Sequence, residues 1–532
     1  MGRSHSRSTF AAALLVTALT ASPLLAQTAP VPAAPAAAPA AAITTVDEAG
    51  AKTLAAGMET ELKALLPHTT QGAGPRWTGV VTAVPDGDAY KITWPALSFV
   101  GDDGARMDVG VITLRLRPQA DGSQAFTAQL PASMPIFDTQ SAADGALTIG
   151  SQNISGVWSP AYQTLTGLNL ALNGLTGVNG KNQTVVKMGA ITGTMDLRPD
   201  GGGHLYSGPG AFGVSGLSVQ DEAGTTLATI GTLNTNFTYT RVDLDKTRKL
   251  GQVAQANAAA AGTGAAPAAL TPADFRGLFG GMGVKIAMGD SSFFDPKDKM
   301  RIGIKNFTLS MGIDGLDSPS TSVRFAYDHD GLSMVPPPGP ADFMPGSAGL
   351  SIAALKLPTD AFSQALTVAS GKTDDSTGAL VAGLLMGALG QAASEIRLEK
   401  LAVVTPATSG LATGGTTFNS GAAFGTTGAF TVTLTGLDNT IKALQPAQGK
   451  KPTKDEQETL AGLTMIQALG QPGKDAQGKD ARVYKIDITP EGQLLLNGTD
   501  MSGLLGLGGG EGTDEQDDEE ADAPPAPGKR KL

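Results

Sequence analysis

The sequence predicts a mainly β fold: antiparallel, amphipathic sheets built from hairpins, with a few capped helices. Three observations carry this. Five segments alternate apolar and polar residues with a period of two. Five turns between plausible strands end on glycine after an acid. Charged residues make up only 16% of the chain, while 70 of its 532 residues are glycine. That balance disfavours long solvated helices, which want Glu and Lys, and favours short strands joined by tight turns.

The alternating segments come in order along the chain. In Val111–Arg117, Ile112, Leu114 and Leu116 alternate with Thr113, Arg115 and Arg117. In Leu168–Leu172 the leucines alternate with Asn169 and Ala171. Phe307, Leu309, Met311 and Ile313 alternate with Thr308, Ser310 and Gly312. Phe430, Val432 and Leu434 alternate with threonines, and Tyr484, Ile486 and Ile488 with Lys485 and Asp487. Such strands have one apolar and one polar face, as in antiparallel sheet with a solvated side. The turns are Pro85-Asp-Gly87, Pro118 to Gly122, Pro199-Asp-Gly201, Asp328 to Gly331 and Pro490-Glu-Gly492. Glycine there supplies the positive φ that hairpin turns require.

Helices are fewer. Thr45-Val-Asp-Glu48 and Thr453-Lys-Asp-Glu456 match capping boxes, opening helices to about Leu66 and Leu469. Thr271-Pro272 predicts a short helix through Phe279, Thr359 precedes one at Asp360–Ala369, and Asp438 caps one ending near Leu444. Gly378–Ser394, the most apolar stretch after the N-terminus, is too short and Gly-rich for a bilayer span and reads as a buried helix.

Low-complexity segments divide the chain. Residues 1–26 read as a secretory signal peptide: basic Arg3 and Arg7, apolar Phe10–Leu19, and small Ala26 at the cut. Residues 27–42 form an Ala/Pro linker and residues 508–532 a disordered acidic tail. Residues 252–269, rich in alanine, separate an N-terminal β-rich domain (43–251) from a C-terminal β-rich domain with helices (270–507). Export places the mature chain in the periplasm or the medium.

Composition excludes several chemistries. With no cysteine, disulfides, thiol catalysis and thiolate metal sites are ruled out. A net charge of −11 without a basic stripe argues against nucleic acid. No Walker loop, dinucleotide fingerprint, EF-hand or nucleophile elbow is present. Beyond the signal the histidines are His68, His204 and His329, far apart in sequence. The cluster that stands out is Asp328, His329 and Asp330, where two carboxylates flank an imidazole. It suits a cation or a tuned general base. A hairpin tip of solvated polar side chains is the preferred reading, because acid–Gly turns recur here without histidine. No catalytic residue, metal ligand or cofactor is assigned.

The C-terminal half has a distinctive order of features. Ala348–Leu357 leads into Pro358, and Ile396–Val404 follows the apolar helix. A Gly/Thr/Ala-rich stretch then runs into Phe430–Leu437 and Asp438, and the last strands, Tyr484–Thr489 and Gln493–Leu496, close on Asn497-Gly498. From Ala341 to Leu505 this order, with Gly436-Leu-Asp438 and Asn497-Gly498, resembles the exported, β-rich proteobacterial proteins of the YdgA type. More loosely it is similar to the AsmA-like group. The first offers no catalytic residues to carry over; the second implies envelope lipid handling.

The expectation is an exported, non-catalytic envelope protein with no transmembrane span in its mature chain. Its apolar sheet faces either pack together or leave a groove for an apolar ligand such as a lipid; an envelope protein is the other partner class. Two alternatives stand beside it. A periplasmic hydrolase needs His329 or His204 to converge with a serine or carboxylates. A secreted structural protein associates through sheet edges. Closure of the sheets separates a filled sandwich from a lined groove.

Overall fold

The computed structural model describes residues 45–66, 69, 72–263, 277–361, 364, 375–445 and 453–502. The segments read as signal, Ala/Pro linker and acidic tail lie outside them, as do His68, Thr271 and Pro272 and most of 360–369.

The chain is mainly β, and every strand belongs to one hydrogen-bonded antiparallel sheet with a few helices on it. Its first helix, α1 (Glu48–Leu65), buries Ala51, Leu54 and Leu62 against Val81, Tyr90, Ile92 and Leu116. The cap is Asp47 rather than Thr45: its carboxylate accepts from Gly50 N at 2.7 Å. Tyr90 fixes the entry, its hydroxyl donating to Thr45 O at 2.7 Å and accepting from Asp47 N at 3.2 Å.

Short strands follow: β1 (Gly74–Thr78), β2 (Thr82–Asp86), β3 (Ala89–Thr93), β4 (Ala96–Val100), β5 (Arg106–Gly110), β6 (Thr113–Pro118), β7 (Gln124–Gln129), β8 (Ser133–Phe137) and β9 (Ala143–Thr148). Longer ones come next: β10 (Ser151–Ser159), β11 (Thr164–Asn179), β12 (Thr184–Asp196), the two-residue β13 (Arg198–Pro199), β14 (Leu205–Gln220) and β15 (Thr226–Asp243). Strand β11 is a fork. Its first part pairs with β10, which leads through β7, β6 and β3 to β2. Its last residues pair with β9, which leads through β8, β5 and β4 to β1. The second branch lays Leu97, Met107, Val109, Met134, Leu147 and Ile149 on Leu170, Leu172, Ile191 and Val214, making the main core.

Helix α2 (Leu244–Thr263) takes in most of the segment read as a divider. The strands on either side, β15 and β16 (Gly281–Asp295), pair with each other from Ala228↔Phe293 to Thr240↔Gly281, so the sheet runs on across residues 252–269. At the start of α2, Asp245 bonds Arg248 and Lys249, each at 2.7 Å, and these two cations hold its carboxyl down at about 2. A depressed carboxylate stabilises the fold above its free value of 3.8, and the contribution is lost as pH falls through about 2. Asp245→Asn is expected to lower the unfolding free energy at pH 7 by under about 1 kcal/mol, seen as a lower urea midpoint, because the pair is partly solvated. At pH 2 the midpoints of the two proteins should converge. An equal gap at both pH values would overturn this.

The sheet continues as a meander: β17 (Met300–Asp314), β18 (Ser320–Asp330), β19 (Ser333–Val335), β20 (Ser347–Pro358), β21 (Glu395–Val404), β22 (Ser409–Phe418), β23 (Thr426–Thr435), β24 (Gln471–Lys474), β25 (Asp480–Ile488), β26 (Leu494–Leu496) and β27 (Thr499–Asp500). Four of the five predicted alternations lie wholly in strands and the fifth loses Val111 and Ile112, which precede β6; the five turn glycines Gly87, Gly122, Gly201, Gly331 and Gly492 all have positive φ.

Helix α3 (Asp375–Gln391) links β20 to β21. It corrects the expectation of a buried helix: Leu384 and Met386 are half-exposed, because the helix rests against the rim of the sheet at β20 and β22 and is not sandwiched. Helix α4 (Leu437–Leu444) is capped by Gly436 in the left-handed conformation, not by Asp438, which lies in its first turn. A β-carbon at Gly436 would sit 2.3 Å from Ala407 O, so the tight entry requires glycine. Helix α5 (Lys454–Leu469) opens with the predicted capping box of Thr453 and Glu456.

Candidate functional site

Directly opposed residues in neighbouring strands share a face of the sheet. One row therefore reads Leu172, Ile191, Val214, Leu233, Met288, Phe307, His329, Ala348, Val403, Gly410 and Leu434 from β11 to β23. The next reads Phe212, Thr235, Ile286, Leu309, Tyr327, Leu350, Leu401, Ala412, Val432 and Tyr484. A third carries Phe237, Val284, Met311, Phe325, Ile352, Leu398, Gly414, Phe430 and Ile486. The rows form one continuous apolar face.

What covers this face changes along it. Leu172, Ile191 and Val214 are buried under the N-terminal branch. From β15 to β23 no second layer of strands lies on it among the described residues, and Met311 (55% exposed), Leu401 (45%) and Val403 (42%) are open. At the far end α5 returns: Tyr484 donates from its hydroxyl to Ile466 O at 2.7 Å, and Asn497 Nδ2 to Leu469 O at 2.9 Å. The result is a strip of apolar face, a shallow trough at most, with the N-terminal branch over one end and the C-terminal tip of α5 bonded to Tyr484 and Asn497 at the other. Its open middle, eight strands at roughly 4.8 Å spacing, spans about 34 Å, close to the roughly 30 Å of a bilayer's hydrocarbon.

The opposite face is richer in charge, with Val404 and Leu411 also exposed on it. Arg324 pairs with Glu399 at 3.0 Å, which also accepts from Ser351 Oγ at 2.8 Å. Asp328 and Lys400, on strands either side of β20, form an ion pair directly over Gly349, where any side chain would collide with both.

The strand alternation divides the predicted cluster. Asp328 and Asp330 lie opposite Thr308 and Asn306 on the polar face, and His329 lies opposite Phe307 on the apolar one. His329 is not at a solvated hairpin tip: it lies within β18 on the face of Phe307 and Ala348 and is buried, 9% exposed. All three residues border a shallow depression of about 340 Å³, which Lys400 also lines. Among the described residues no group of three His, Asp or Glu side chains is placed to hold a metal ion. The hydrogen bonds of both described histidines go to tyrosine: Tyr327 Oη to His329 Nδ1 at 2.7 Å, and Tyr162 Oη to His204 Nδ1 at 3.0 Å. Ser310 and Ser333 sit in strands, and Ser215 lies in the middle of β14.

Sequence reasoning missed Tyr327 as the partner of His329. The signal was present: residues two apart on a strand share a face, and Tyr327 heads the motif that contains the histidine. Among the described residues no helix is long and apolar enough to cross a membrane. No protein-family model matches the chain, and a search of curated proteins finds no match.

Proposed function

We propose that this is an exported, non-catalytic protein of the cell envelope that carries the hydrocarbon part of a lipid on its open apolar face. The observation that carries this reading is the continuity of that face. The same rows that form the buried core at Leu172 and Ile191 run on, exposed, through Met311, Leu401 and Val403. Exposed apolar side chains on β17 and β21, in rows that run the width of the sheet, are the kind of surface that marks an interaction site. Aliphatic and methionine side chains suit acyl chains, which need area and shape but no directional partner. The covered ends limit the ligand's length, and the more charged opposite face keeps the loaded protein in water.

The test is expression of the chain from Gln27 in a bacterial periplasm, detergent-free purification, native mass spectrometry and organic extraction of a parallel sample. Phospholipid or fatty acid at near-integral stoichiometry on a monomer is the expected result. A clean apo monomer that takes up no lipid from vesicles overturns it. A lipid-free dimer would instead mean that a second copy covers the face.

A further inference from the structure

The geometry points to His329 as the anchor for the carboxyl end of an acyl chain, so that the trough selects free fatty acid over fully esterified lipid. This rests on the lipid-carrying reading above. His329 is the one imidazole in the apolar rows, flanked across the sheet by Phe307 and Ala348. Its Nδ1 is bonded to Tyr327 Oη at 2.7 Å, and the Tyr327 ring packs edge-on against both His329 and Phe307. Its Nε2 is buried and has no hydrogen-bond partner.

The tautomer follows from counting protons. If Tyr327 donates to Nδ1, the ring proton sits on Nε2 and one donor is left unmatched. The reverse arrangement leaves two groups unmatched, the Nε2 lone pair and the phenol proton. The first is cheaper, so Nε2–H is a buried donor lacking an acceptor. Such groups carry a desolvation penalty that a ligand oxygen removes. A carboxyl ends the molecule and offers an oxygen to that N–H; the ester carbonyl of a glycerolipid can accept as well but carries its glycerol and headgroup behind it into an apolar wall that does not hydrate them. Ala348 is the small member of the row between His329 and half-exposed Val403. The chain would then extend across the rows of Leu309 and Met311. Because Nε2 is covered in this structure, binding includes a local side-chain shift over the imidazole.

The experiment compares palmitate carrying ¹³C at its carboxyl carbon with methyl palmitate and hexadecane. Binding to wild type, His329→Phe, His329→Gln and Tyr327→Phe is read by titration and by the ¹³C shift, with circular dichroism checking each fold. Phe keeps the volume and removes the donor; Gln keeps an N–H. The expected result is about a tenfold loss of palmitate affinity in His329→Phe, partial recovery in His329→Gln, and unchanged hexadecane binding in both. Tyr327→Phe should weaken palmitate less and shift its ¹³C line. Equal palmitate affinity in wild type and His329→Phe, with all proteins binding hexadecane, overturns the anchor and leaves the trough standing. If none of the three probes binds any of the proteins, the trough reading fails and the anchor with it.

Discussion

Leu172→Ala is expected to cost about 3 kcal/mol of unfolding free energy, and Met311→Ala under about 1. Both residues point to the same face of the same sheet. Leu172 is fully enclosed by the N-terminal branch, so truncation leaves a cavity in a packed interior. Met311 is 55% exposed, so its truncation removes little buried surface and makes no cavity. Tryptophan fluorescence in urea is a selective probe here, because Trp77, Trp94 and Trp158 all lie in the N-terminal part of the chain. Leu172→Ala should shift that transition strongly and Met311→Ala should leave it in place. Comparable shifts from both would mean that the face around Met311 is covered in solution.

The second large effect is on loading. A double Met311→Asp, Leu401→Asp change places two carboxylates on adjacent rows of the trough. Covering each by hydrocarbon costs roughly 2 kcal/mol or more, so extracted lipid per protein should fall at least tenfold. Ser310→Asp, one residue away on the polar face, should load normally. Both proteins should keep the wild-type circular dichroism, since in the free protein the new carboxylates face water. Full loading of the double variant would overturn the acyl-carrying role of this face.

Much of the architecture was legible in the sequence, for a simple reason. Alternation such as Phe307-Leu309-Met311-Ile313 depends only on the two-residue repeat of a strand, and acid–Gly turns only on the need for positive φ. Helix starts were less so: Asp47 displaced Thr45 because a carboxylate two residues on reached Gly50 N and Tyr90 held the entry. Whether an apolar face is covered depends on which distant strands fold over it. Leu172 and Met311 read alike in sequence, and only the fork at β11 makes one a core residue and the other an open one. The candidate cluster is divided for the complementary reason. Asp328, His329 and Asp330 are neighbours in the chain, yet alternation sends the imidazole to one face and the carboxylates to the other. The partner that mattered, Tyr327, was two residues away.

The fork at β11 also sets how the molecule comes apart. From β15 onward each long strand leans on its neighbours in the plane of the sheet, with no layer of strands above the open rows among the described residues. Its stability there behaves as a one-dimensional lattice, a chain of nearest-neighbour terms as in a solenoid. Opening one link separates everything beyond it from the anchored end, so amide protection should fall stepwise from β12 toward β23, recovering where α5 clamps Tyr484. An acyl chain lying across several strands ties non-adjacent links together. Under the proposed function, a bound acyl chain would supply the second layer that the described strands do not, and would tie cargo to cooperativity.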